Sequence, residues 1–285
     1  MRLHLCGTRG STPAPGSAFV RYGGHTSCVA VAHDGEDVSV IIDAGTGIRL
    51  VTDLLRDGPF TGAILLGHLH WDHTHGLPFF AAGDRPDARV DLYMPAQGED
   101  AQGVLARGWS PPHFPIGPND LRGDWRFHSL TEGEHRIGGF CVLAREIPHK
   151  GGTTFGYRLT DGQTTVAYLS DHHPASLGAG PDGYGPYHAA ACELAAGADL
   201  LLHDAQYLGC EWDERRTFGH ATVEYAVGLA EASGVGRLVL FHHDPARTDD
   251  EIDALTHRAR DAAGVDVTAA AEGDVLVVVS GDGRP

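Results

Sequence analysis

Gly67-His68-Leu69-His70-Trp71-Asp72-His73 follows the apolar run Ala63 to Leu66, and its reading governs the rest of the chain. The pattern is His-x-His-x-Asp-His. Residues two apart at an extended strand end point the same way, so His68 and His70 can converge on one cation. Asp72 and His73, entering the next turn, address an adjacent position. Four donors packed this closely can serve two metals, because a divalent cation supplies the partner that three imidazoles and a carboxylate need. A short helix is expected from about His73.

Each metal needs further donors, and other strand ends offer them: His149 after Ile147-Pro148, Asp171 after Tyr168-Leu169-Ser170, and His242 or His243 after Val239-Leu240-Phe241. Strands are expected at Val38 to Ile42, Ala63 to Leu66, Val90 to Tyr93, Phe140 to Leu143, Thr165 to Leu169, Leu200 to Leu202 and Leu238 to Phe241. Helical spacing runs through Val223, Ala226, Val227, Ala230 and through Ile252, Leu255, Ala259, which makes the class α/β. Trp109 to Gly123 reads as a surface loop. No low-complexity linker divides the chain, so a single domain over 1–285 is expected. Its halves echo each other: one strand ends at Asp43 ahead of the first His cluster, another at Asp171 ahead of His203. Packed face to face, such halves place their strand ends on one edge, where α/β sheets bind ligands.

The 285 residues carry 42% hydrophobic and 21% charged side chains, ordinary globular proportions that exclude wholesale disorder. A formal charge of −17 would repel a long polyanion, so extended nucleic acid is not expected as a partner. The five Cys lack any Cys-x-x-Cys spacing, which argues against a disulfide framework and fits the cytoplasm. No apolar stretch reaches signal-peptide or membrane-spanning length, so no membrane role is expected. The 19 His stand out, several clustered with Asp.

The chain resembles the metallo-β-lactamase-fold hydrolases, on the branch that holds ribonuclease Z and related phosphodiesterases. The resemblance is carried by Leu5-Cys6-Gly7-Thr8-Arg9-Gly10-Ser11-Thr12-Pro13, Ile42-Asp43-Ala44-Gly45-Thr46-Gly47, the His68 to His73 cluster, Ser170-Asp171-His172, His203-Asp204-Ala205-Gln206-Tyr207, Gly219-His220-Ala221-Thr222 and Leu238 to His242. It implies a four-layer αββα metallo-β-lactamase sandwich with a dinuclear site on its edge. Carried over, His68, His70 and His149 hold one metal; Asp72, His73 and His242 hold the other; Asp171 bridges. His243 is then a neighbour of the ligands, as are His75, His172, His173 and His203. Asp43 would brace the loop and a ligand imidazole through hydrogen bonds.

By the same resemblance His220, in its His-x-Thr setting, serves phosphodiester cleavage by contacting phosphate and assisting the leaving oxygen, with Asp72 the other catalytic group. A plainer reading makes Thr217 or the Gly219-His220 pair a helix cap. Two divalent ions, Zn²⁺ before Mn²⁺ or Fe²⁺, would activate a bridging hydroxide. Arg9, Arg21 or Lys150 could add a cation for the phosphate. The stretch between Asp171 and Leu200 holds no Lys or Arg, unlike the basic arm with which ribonuclease Z clamps tRNA. A small or cyclic phosphodiester is therefore expected, in a pocket walled by Trp109 to Phe114, and a homodimer is compatible with the sequence. The alternatives are a metallohydrolase of a non-phosphate ester, lactone or amide, or a ribonuclease Z-like endoribonuclease.

Overall fold

The computed structural model describes residues 1–281; the last four residues of the expected domain, 282–285, lie outside them. Strands β1 (Arg2–Gly7), β2 (Cys28–Ala32), β3 (Val38–Ile42), β4 (Thr61–Leu65), β5 (Arg89–Pro95) and β6 (Asp124–Leu130) build one sheet. A second comprises β7 (Gly133–Ile137), β8 (Phe140–Glu146), β9 (Phe155–Thr160), β10 (Thr165–Leu169), β11 (Leu200–Asp204), β12 (Arg237–Phe241) and β13 (Asp266–Ala269). The last strand, β14 (Val275–Val277), returns to the first sheet beside β1. The orders are β14-β1-β2-β3-β4-β5-β6 and β13-β12-β11-β10-β9-β8-β7.

Pairing is antiparallel from β14 to β3 and from β7 to β10, and parallel in the remainder of each sheet. The two halves are therefore built alike. Parallel strands require crossovers, which the helices α1 (Ile48–Leu54), α2 (Trp71–Thr74), α3 (Ala101–Gly108), α4 (Ala189–Ala195), α5 (Trp212–Arg215), α6 (Val223–Ala232) and α7 (Asp249–Ala262) help to provide.

Three apolar layers hold the four together, and the two-residue period of the strands sorts side chains among them. Val40, Ile42, Leu65, Val166, Tyr168, Val239 and Phe241 fill the space between the sheets. Alternate residues face outward: Ile41 and Ile64 pack with Ile48 and Val51 of α1, while Leu238 and Leu240 pack among residues of α6 and α7. Central strands such as Val38–Ile42 and Arg237–Phe241 are covered on both faces, which is why they read as nearly unbroken apolar runs. The result is an αββα sandwich. Among the described residues no helix is long and apolar enough to cross a membrane.

Several local expectations need correction. The helix expected from His73 begins at Trp71, with His70 extended as its N-cap, so Asp72 and His73 already lie in a helical turn. Neither Thr217 nor the Gly219-His220 pair caps α6: Thr222 does, accepting a hydrogen bond from Tyr225 N. Trp109 to Gly123 is a loop as expected, with hydrogen-bonded turns at Ser110–Phe114 and Pro118–Asp120.

Candidate metal centre

Register brings the strand ends of both sheets to one edge. Ile42 pairs with Leu65, Leu169 with His203, and Asp204 with Phe241, so Asp43, His68, Asp171, Asp204 and His242 all stand at or just past the carboxyl ends of central strands. Asp43 (φ 59°) and His242 (φ 58°) occupy the left-handed region, rare for residues with a Cβ. Each follows a central strand of its own half, and such conformations cost on the order of 1–3 kcal/mol, a strain that concentrates at functional sites. Gly10 allows the close approach of the opening loop, since a Cβ there would lie 2.4 Å from His242 Nδ1.

Two groups of donors result. His68, His70, His149 and Asp171 each present an atom within 4.8 Å of the others, as do Asp72, His73, Asp171 and His242. Asp171 belongs to both. Its Oδ1 lies 3.7 Å from His68 Nε2 and 3.6 Å from His149 Nε2, and its Oδ2 lies 2.9 Å from His73 Nε2 and 3.3 Å from His242 Nε2. Among the described residues His68 Nε2, His73 Nε2 and Asp171 Oδ2 are buried without a well-aligned hydrogen bond, close as the last two lie to each other. Buried polar atoms that face one another without well-aligned hydrogen bonds are suited to share a cation, so the residues fit the divalent metal that the fold implies.

The titration behaviour points the same way. Burial, with His73 adding to it, pushes His68 well below its usual value; burial lowers His70 and holds His149 at about 4. These are neutral imidazoles ready to donate a lone pair. At His73 and His242 burial also favours the neutral ring, yet Asp171 with Asp43 and Asp72 outweighs it at His73, and Asp171 with Asp72 raises His242 to about 9. Asp72 and Asp171 resist burial and stay well below the usual carboxylate range through the same histidines. The carboxylates thus draw positive charge toward themselves, as protons when no cation is bound.

The partners behind these groups fix their orientation. Asp43, fully buried, accepts from Gly67 N at 2.7 Å, from His73 Nδ1 at 2.7 Å and from Tyr168 OH at 2.7 Å. It therefore ties the His68 loop, a donor imidazole and the second sheet to one carboxylate. Asp43→Ala would strand three buried donors, and a fall of about 10- to 100-fold in metal affinity is expected, measurable by competition with a chromophoric chelator. His149 Nδ1 donates to Gly219 O at 2.7 Å, which turns Nε2 toward the centre and anchors the loop that carries His220.

His220 Nδ1 stands 2.9 Å from Asp204 Oδ2, and its ring lies 4.9 Å from that of His242 and 5.4 Å from that of His149. Asp204 was not among the residues singled out for a role. Its position at a strand end, like those of Asp43 and Asp171, was the available signal. Asp204, His220 and His242 form a third close group of donors. Behind Asp204 runs a chain of imidazoles: His203 Nδ1 donates to the Asp204 carbonyl at 2.7 Å, which leaves His203 Nε2 to accept from His172 Nδ1 at 3.0 Å, and His172 Nε2 to accept from His188 at 2.7 Å. His173 donates to Arg216 O, and His75 stacks on Trp71.

The alternatives at the last strand separate clearly. His242 faces the carboxylates, whereas His243 donates from Nε2 to Ala270 O at 2.9 Å, and burial lowers it to about 3. The three cations that the sequence offered as candidates for phosphate have partners of their own. Arg9 is fully buried and donates to Gly23 O, Asp244 O and Arg247 O; Arg21 pairs with Asp250 and Asp253; Lys150 donates to Thr217 O. Ser11 N donates to Asp72 Oδ2 at 2.6 Å, the backbone contact by which the opening loop reaches the centre.

Residues 39–243 match the family described as beta-lactamase superfamily domain. The chain belongs to this superfamily. Ribonuclease Z of Lacticaseibacillus casei (strain BL23) is 29% identical to it over 242 residues, 71% of this chain and 74% of that protein. The metallo-beta-lactamase fold protein YhfI from Bacillus subtilis superposes with a TM-score of 0.71 at 17% identity, over 97% of this chain and 99% of that one. A diphosphatase from the PhnP family gives 0.69 at 20% identity, over 98% and 99%. Family, fold and donors make the protein a metal-dependent hydrolase of the metallo-β-lactamase fold.

Proposed function

We propose that the protein is a phosphodiesterase that works with two divalent ions, zinc before manganese or iron, and cleaves small phosphodiesters. The observation that carries this reading is His220 held by Asp204 beside two donor groups that share one carboxylate. His68, His70 and His149 would hold one ion; Asp72, His73 and His242 the other; Asp171 would bridge. Two such ions supply Lewis-acid charge stabilisation and activate water at neutral pH.

The remaining work falls to the chain. Asp204 engages Nδ1 of His220 and so presents Nε2 to substrate, where it can hold a phosphoryl oxygen or protonate the departing alkoxide. Ser11 N holds one oxygen of Asp72, which keeps that carboxylate turned toward His73 and His242. The mouth of the site is a cavity of about 350 Å³ lined by Ser11, Leu69, His70, Trp71, Asp72, Asp171 and His220, a size suited to a phosphodiester and its nearest substituents.

Substrate size follows from two features. The chain carries a formal charge of −17, and the segment between Asp171 and Leu200 folds back on itself: Gly185 N donates to Ala179 O, and Trp212 Nε1 to Gly183 O. Both weigh against a projecting basic arm. The relatives named ribonuclease Z favour a second reading, an endoribonuclease. The whole chain, 1–285, is taken as one domain working in the reducing cytoplasm, in keeping with five free cysteines.

A substrate panel decides among the readings. Metal-reconstituted protein is expected to turn over bis-p-nitrophenyl phosphate and small phosphodiesters well above a lactone or a β-lactam. Faster turnover of the lactone would replace the phosphodiester reading. Site-specific trimming of precursor tRNA at physiological salt would establish the endoribonuclease.

A further inference from the structure

A second cavity, about 610 Å³, adjoins the metal centre across one turn of helix. Trp71 belongs to the linings of both cavities, while the next residues, Asp72 and His73, face the carboxylate cluster. The second cavity is thus one residue away from the donors. Its walls include Trp71, Phe79, Trp109 and Phe114, and its charged residues are Arg49 and Arg107.

Two properties of this lining bear on what it takes. Trp71 is 66% exposed and Phe79 56% exposed, so two large aromatic faces stand open beside the site; Trp71 is held in place by near-parallel packing on His75 (5.2 Å, 19°). In a chain with 38 acidic and 21 basic residues, the lining holds two arginines and no carboxylate. Arg107 is paired with Glu99, while the exposed Arg49 guanidinium makes no hydrogen bond or ion pair among the described residues. Open aromatic faces bind flat rings, and an unpaired arginine binds an anion.

Resting on the phosphodiesterase reading, we infer that this cavity binds the nucleoside half of the substrate, with the base against Trp71 and Phe79 and a second phosphate near Arg49. The scissile phosphodiester then sits at the metal centre, where water forms the new P–O bond and the group on the far side departs as an alcohol. The substrate class is a phosphodiester that carries a nucleotide on one side.

Three substrates that share the p-nitrophenolate leaving group test the assignment: methyl p-nitrophenyl phosphate, thymidine 5′-(p-nitrophenyl phosphate), and the latter with an additional 3′-phosphate. Adding the nucleoside is expected to raise kcat/KM on the order of 10- to 100-fold, the range of base–aromatic stacking, and the 3′-phosphate is expected to raise it again. Phe79→Ala should shrink the first increment and Arg49→Ala the second. Equal kcat/KM for all three substrates, or variants that leave both increments intact, overturns the pocket while leaving the phosphodiesterase reading in place. No turnover of any of the three overturns the phosphodiesterase reading instead. In that event, quenching of tryptophan fluorescence by thymidine 3′,5′-bisphosphate in chelator-treated protein still decides on the pocket: quenching weakened by Phe79→Ala supports it, and quenching absent or unaffected by the substitution overturns it.

Discussion

His220→Ala is expected to keep its fold and its metal while losing about 10²- to 10⁴-fold in turnover of phosphodiesters with poor leaving groups. The imidazole is 7% exposed and touches the centre from one side, with Nδ1 committed to Asp204. Its removal leaves the shared carboxylate and the five other imidazoles of the two donor groups in place. The loss should shrink with p-nitrophenolate, which departs without a proton. Measuring kcat across leaving groups of rising pKa, alongside elemental analysis of the same preparation, separates the outcomes. A uniform loss across leaving groups makes His220 a phosphate-orienting residue. Loss of metal makes it a ligand, through the third donor group that it forms with Asp204 and His242. Asp204→Ala should resemble His220→Ala if orientation of the ring is what Asp204 supplies.

Asp171→Ala should act quite differently and abolish activity on every substrate, because Asp171 belongs to both donor groups and a bridging carboxylate lost from one is lost from the other. Elemental analysis is expected to show both ions weakened together. Retention of one full equivalent would tell against a bridge. The same residues predict a thermal effect. Removing metal from the wild-type protein leaves carboxylates and imidazoles buried without their cation, and a ligand held at about a thousandfold above its Kd contributes about 4 kcal/mol to stability. Chelation should therefore lower Tm by several degrees, and re-addition of the metal should restore it. In Asp171→Ala the difference between chelated and metal-loaded Tm should largely vanish. A wild-type Tm indifferent to chelator would remove the electrostatic argument for a cation.

The ease of reading this chain came from its central strands. Val38–Ile42, Thr165–Leu169 and Arg237–Phe241 are covered on both faces, so burial requires continuous apolar runs that stand out in one dimension. Strands β6 (Asp124–Leu130) and β7 (Gly133–Ile137) lie outside the expected set because each is the edge of its sheet, where polar residues such as Arg126, His128, Glu134 and Arg136 interrupt the pattern; β2 (Cys28–Ala32) and β9 (Phe155–Thr160), interior to their sheets, lie outside it too, the first built largely of small residues and the second broken by Gly156 and Arg158. β13 and β14, also at edges, are four and three residues long.

The sequence by itself determined the class of the fold, the strand ends at which chemistry gathers, and the residue types available there, since local spacing is enough to place His68 beside His70 and Asp72 beside His73. What only the tertiary structure decided is which distant groups complete the arrangement. His242 joins the carboxylates because a left-handed residue ends β12, while its neighbour His243 turns away to Ala270. Arg9, exposed to view in a loop motif, is consumed by three carbonyls inside the protein. Trp71 and Phe79 form the open aromatic faces, whereas Trp109, equally aromatic in sequence, is buried in the wall. Asp204 gains its role from a contact 16 residues along the chain. Such distinctions depend on backbone direction at single residues and on what packs against a side chain from remote segments. Neither leaves a periodic trace in the order of amino acids, so both had to await the folded molecule.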